Sequence, residues 1–126
     1  QVVDGAPELL AHLTKRGPVH VLSNGFANLQ SRKLKSGGID KYITKLILSD
    51  DIDVTKPDRR LFDYALEQVG GTPETTVMIG DNYDADILGA NNAGWHTIFF
   101  NRKNVVLETN VADLTVTRLA DIIAWF

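Results

Sequence analysis

Val77-Met78-Ile79-Gly80-Asp81-Asn82-Tyr83-Asp84-Ala85-Asp86 is the stretch on which the fold turns. Val77 to Ile79 is a short apolar run and reads as a buried strand. Gly80 ends it, and from about Asp84 to Asn92 the residues read as a helix stopped by Gly94. A carboxylate directly after such a run and a glycine is poorly explained by packing. Asp84 and Asp86 follow at once, and crowded like charges repel unless a cation or a donor compensates.

The same alternation extends in both directions. Val19 to Leu22, Leu46 to Leu48 and Thr97 to Phe100 read as further strands. Helices are expected over Ala6 to Arg16, about Ala27 to Ser36, and from Pro57 through Leu61, Phe62, Ala65, Leu66 and Val69. A last helix is expected from about Thr117 to Trp125, and Trp95, Trp125 and Phe99-Phe100 read as core or interface material. Strands separated by helices imply crossover connections, a parallel sheet and the α/β class, Rossmann-like with flanking helices. With 126 residues and no linker or repeat, residues 1–126 read as a single domain.

Composition removes several classes of function. The balance of 13 Lys and Arg against 16 Asp and Glu gives a net charge of -3. No basic run suggests a nucleic-acid partner. A cysteine count of zero excludes disulfides, thiolate zinc sites and a cysteine nucleophile, and fits a reducing, cytoplasmic setting. No apolar run approaches the roughly 18 residues of a membrane span. Neither a dinucleotide glycine motif, nor a P-loop lysine, nor a Gly-x-Ser-x-Gly frame is present. The histidines His12, His20 and His96 have no ligand spacing. Gln1 in place of a methionine suggests a start within something longer.

In a parallel sheet, ligands gather beyond the carboxyl ends of the strands. There the sequence puts Ser23 and Asn24, then a loop leading to Lys56, then Asp81, Asp84 and Asp86. Oxygen ligands of this kind suit Mg²⁺, which takes one or two protein carboxylates and keeps its other positions for water and phosphate. Asp84 and Asp86 read equally well as acids at a helix N-terminus, and Asp84 as its cap. Ser23-Asn24-Gly25 reads equally as a turn. Lys56, beside a helix start where a cation is disfavoured, breaks a local rule and is thereby a candidate for screening phosphate charge.

Taken together, Ser23-Asn24, Lys56-Pro57 and Gly80-Asp81-x-x-x-x-Asp86 resemble the second, third and fourth motifs of the haloacid dehalogenase-like (HAD) superfamily, in order. Leu22-Ser23-Asn24-Gly25-Phe26, Leu61-Phe62-Asp63-Tyr64-Ala65-Leu66-Glu67 and Asp86-Ile87-Leu88-Gly89-Ala90 are similar to its pyrimidine-nucleotide 5′-phosphatases. The resemblance implies that Ser23 and Asn24 bind phosphate, and that Lys56 is catalytic and balances phosphate charge. It further implies that Asp81 and Asp86 hold Mg²⁺, with Asp84 behind them or facing solvent. It favours phosphate-ester hydrolysis over dehalogenation, because the dehalogenases lack this carboxylate pair. The substrate would be a small phosphorylated metabolite.

One family element is missing. No D-x-D-x-T/V segment, which supplies the nucleophilic aspartate in the family, occurs ahead of Ser23, and no cap is inserted. Asp51-Ile52-Asp53 falls after the second motif. The chain is therefore expected to be the C-terminal part of such a core and inactive alone. The family's first strand lies between those expected at Val19–Leu22 and Val77–Ile79. That gap would be filled by a second copy or an exchanged strand, by another segment of the chain, or by direct pairing of the two neighbours. The competing readings are a non-catalytic module that binds phosphate, metal or a partner, and a phosphoacceptor receiver domain. The latter lacks its acidic pair after His20-Val21-Leu22.

Overall fold

The computed structural model describes residues 4–24 and 27–126, with the side chains of 27–31 outside that description; Gly25 and Phe26 of the Leu22–Phe26 stretch, and Gln1, also lie outside it. The architecture is α/β with parallel strands. The chain divides into two compact units, Gln1–Asp53 with Arg118–Phe126, and Val54–Thr117.

In the first unit, helix α1 (Ala6–Thr14) starts after Gly5, whose φ of 87° suits a residue without a Cβ. Pro7 occupies the first turn, where its missing N–H costs nothing. Strand β1 (His20–Ser23) runs parallel to β2 (Lys45–Leu48), in register from His20 opposite Lys45 to Ser23 opposite Leu48. Helix α2 (Ala27–Ser36) makes the crossover. The closing segment, Leu119–Trp125, packs on α1 and buries Leu119 and Ile122. It is a 3-10 helix rather than the α-helix expected from Thr117. Trp125, read as core or interface material, is 66% exposed and so is not part of the core.

The second unit carries helix α3 (Arg59–Val69), strands β3 (Val77–Gly80), β4 (His96–Phe100) and β5 (Leu114–Val116), and the short helix α4 (Gly89–Asn92). All three strands are parallel, in the order β3-β4-β5. Leu61, Phe62, Ala65 and Leu66 form the buried face of α3, as the 3.6-residue spacing requires. Phe62 meets Trp95 edge-on at 5.3 Å. Phe99 and Phe100 are buried in β4. Full burial of a side chain such as Phe62 is worth about 1.5–3 kcal/mol.

Three local features differ from the sequence expectation. Helix α3 begins at Arg59, not Pro57, because Asp58 accepts a hydrogen bond from the Arg60 N–H at 2.9 Å and caps it. The expected helix after Asp81 is a single π-helical turn, Tyr83–Leu88, running into α4. Its cap is Asn82, not Asp84; the Asn82 N–H bonds the Asp86 carboxylate, and the Asp86 N–H bonds the Asn82 carbonyl. Finally, Leu114–Val116 is a strand, paired with Ile98–Phe100. Its three residues are too few for a period to show. Strand β1 pairs with β2 in a two-stranded sheet, and β3, β4 and β5 form a three-stranded one.

Candidate active site

The second unit assembles Lys56, Asp81, Asp84 and Asp86 around the carboxyl end of β3. Ser23 and Asn24 close β1 in the other unit; Ser23 is half-buried and Asn24 exposed. Asp51 accepts a hydrogen bond from the Leu48 N–H at 3.2 Å, a local turn contact.

Asp86 is the organising residue. It is buried on the π-helical turn, and its side chain is 7% exposed. Lys56 Nζ lies 2.5 Å from its Oδ1, and the Lys56 side chain is only 11% exposed. The Asn82 N–H donates to Oδ2 at 3.3 Å, while the Asp86 N–H donates to the Asn82 carbonyl at 2.8 Å. Asn82 Oδ1 also accepts from the Ala85 N–H at 3.1 Å. Asn82 is thus the residue that shapes the acidic loop, and the sequence reading passed over it.

Two glycines make this possible. A Cβ on Gly80 would overlap the Asp86 carboxylate, coming within 2.6 Å of Cγ. A Cβ on Gly89 would overlap the Phe62 ring, at 2.6 Å from Cζ, and sit 3.1 Å from Pro57 Cα. Gly89 therefore lets the start of α4 touch Pro57, which brings the neighbouring Lys56 within reach of Asp86. Without these close approaches the ion pair would not close.

Asp81 differs from Asp86. Its side chain is 50% exposed, and Arg102 pairs with it, with Nη1 3.6 Å from Oδ2. Asp84 is exposed on the first part of the π-helical turn. Tyr83, between them, packs edge-on to Phe99 at 5.3 Å. Its hydroxyl accepts from the Val111 N–H at 2.9 Å and donates to the Thr109 carbonyl at 3.2 Å. Tyr83 and Arg102 are site residues that sequence reasoning missed. The signal was their position just past the ends of adjacent strands β3 and β4.

A hard divalent cation suits this set. All the donors are oxygens, and protein cations already stand against the two candidate carboxylates, Lys56 on Asp86 and Arg102 on Asp81. Asp81 has the open side. Asp86 has both oxygens engaged, so it would face a metal through water or by sharing a lone pair. No group of three or more His, Cys, Asp or Glu gathers as a shell among the described residues.

Residues 1–94 match the model of haloacid dehalogenase-like hydrolases, and the chain belongs to that family. It is 39% identical over 98 residues to pyrimidine 5′-nucleotidase YjjG of Escherichia coli, covering 77% of this chain and 44% of that protein. It is 38% identical over 101 residues to a glyceraldehyde 3-phosphate phosphatase of Methanothermobacter thermautotrophicus, covering 76% and 45%. The magnesium-bound crystal structure of the HAD-hydrolase YfnB from Bacillus subtilis superposes with a TM-score of 0.91 at 25% identity, covering 99% of this chain and 55% of that one. The chain spans about half the length of these proteins. No helix among the described residues is long and apolar enough to cross a membrane.

Proposed function

We propose that the chain is part of a Mg²⁺-dependent phosphatase acting on a small phosphorylated metabolite, with nucleotide 5′-monophosphates the first class to test. The buried Lys56–Asp86 pair beside the open carboxylate of Asp81 carries this reading. Kinship to a pyrimidine 5′-nucleotidase and to a sugar-phosphate phosphatase supports it.

In this reading Asp81 would hold Mg²⁺, with Asp86 reaching it directly or through water. Bound there, the ion would supply charge neutralisation for a phosphate. Lys56, held by Asp86, would present a fixed ammonium to a phosphoryl oxygen, and the family resemblance gives Ser23 and Asn24 the role of binding phosphate. Asp84 would remain at the solvent edge. Hydrolysis would pass through an aspartyl-phosphate whose nucleophile this sequence does not contain, so the 126-residue chain would be inactive by itself. The gap left by the family's first strand would be filled by a second copy, by an exchanged strand or by another segment of the chain. We place the activity in the cytoplasm, with no nucleic-acid or membrane partner.

The test is p-nitrophenyl phosphate turnover with Mg²⁺. The expected result is none above background. Turnover that Asp81→Ala abolishes would show that a nucleophile is present after all. A second reading, a non-catalytic phosphate- or metal-binding module, is favoured by the absence of a D-x-D-x-T/V segment ahead of Ser23. Loss of Mg²⁺ and phosphate binding alike, seen by calorimetry, would leave only a docking role.

A further inference from the structure

We propose that Arg102 competes with the divalent cation for Asp81 and so sets the affinity of the site for metal; this rests on Asp81 being a metal ligand. The turn that carries Arg102 is held at several points. Asn101, just past β4, is buried, and its N–H donates to the Val116 carbonyl at 2.7 Å. Its side chain clasps residue 105 from both sides. Nδ2 donates to the Val105 carbonyl at 2.9 Å, and Oδ1 accepts from the Val105 N–H at 2.8 Å. The Asn104 N–H closes on the Asn101 carbonyl at 3.1 Å, with Asn104 at φ 52°, a left-handed conformation that asparagine tolerates. At its far end the same loop is held by the Tyr83 hydroxyl through Thr109 and Val111.

Arg102 thus projects from a fixed turn. Because β3 and β4 are adjacent and parallel, with Gly80 opposite Phe99, residues just past the two strands lie side by side. The guanidinium stands 6.0 Å from the centre of the Phe100 ring and 3.6 Å from Asp81 Oδ2. Arg102 and Asp81 side chains are 48% and 50% exposed. Such a pair is worth at most about 1 kcal/mol, enough to weaken metal binding but not to block it. Where Lys56 is locked on Asp86, Arg102 is replaceable. A dication on Asp81 would displace the guanidinium, and their mutual repulsion would hold it away.

Mg²⁺ titration followed by calorimetry and amide NMR, on this chain and on Arg102→Gln, Arg102→Lys and Asp81→Asn, tests the proposal without an activity readout. Arg102→Gln should tighten Mg²⁺ binding by about two- to fivefold, the factor that a pair of up to about 1 kcal/mol allows. Arg102→Lys should bind like the parent, and added NaCl should shrink the difference. Equal affinity in the parent and Arg102→Gln, with binding lost in Asp81→Asn, would overturn the role of Arg102 and leave the metal site standing. No Mg²⁺ response in either chain, or a response unchanged in Asp81→Asn, would instead refute Asp81 as a ligand, and this inference with it.

Discussion

Lys56 and Asp86, 30 residues apart in sequence, meet as a shielded ion pair with Nζ 2.5 Å from Oδ1. Each is held by what surrounds it: Asp86 by the Asn82 N–H, Lys56 by the placement of Pro57 against Gly89. Removing one partner leaves an uncompensated buried charge, which costs about 3–5 kcal/mol. Lys56→Met is expected to lose that much in urea unfolding. Lys56→Met combined with Asp86→Leu should recover most of it, since no charge is then stranded.

The glycine contacts make a second prediction. Gly80→Ala pushes a methyl group into the Asp86 carboxylate, and Gly89→Ala pushes one into the Phe62 ring. Overpacking of this kind costs about 1–3 kcal/mol. Gly80→Ala should also displace Asp86 from Lys56, read as a shift of the Lys56 ammonium signal in NMR. Gly38→Ala, where a Cβ would meet nothing within 4 Å but φ is +70°, should lose stability without touching that signal.

Tyr83 ties the acidic loop to the strap before β5. Tyr83→Phe keeps the ring contact with Phe99 and deletes only the hydroxyl that serves Val111 and Thr109. The expected loss is about 0.5–1.5 kcal/mol. Hydrogen exchange should quicken at the Val111 amide and leave the amides of α3 unchanged.

Acid should act through two groups. The Arg60 side chain first, and its backbone N–H second, draw the Asp58 carboxyl down to about 2 from 3.8. A carboxylate with a lowered value in the folded state stabilises it above the unfolded value, and that support is lost as pH falls through about 2. Burial, helped by Lys45, lowers His20 below its usual 6.5. The unfolded chain then takes up a proton first, so stability also declines as pH drops below 6.5. Asp58→Asn should flatten the acid limb of a stability–pH profile, and His20→Gln the limb nearer neutrality.

Much of the fold is legible in short-range pattern. The apolar face of α3, the strand ending at Gly80 and the left-handed glycine after α3, Gly70 at φ 69°, follow from spacing and residue type alone. So does the placing of three aspartates just past the end of β3, because ligand-bearing residues follow the carboxyl ends of parallel strands. Strand β5 escaped because Leu114–Val116 is too short to show a period, and the π-helical turn escaped because nothing in the residue pattern of Tyr83–Leu88 separates it from an α-helical one.

What the sequence by itself determined is therefore the class, the family motifs and the kind of chemistry available: oxygen donors, one lysine and no thiol. Which cation faces which carboxylate was decided only in three dimensions. Lys56 belongs to Asp86, Arg102 to Asp81, and Tyr83 to a strand of backbone 28 residues further on. Periodicity carries no information about such partners. They are chosen by how closely two backbones approach, and for Lys56 and Asp86 that approach is permitted by the absent side chains of Gly80 and Gly89.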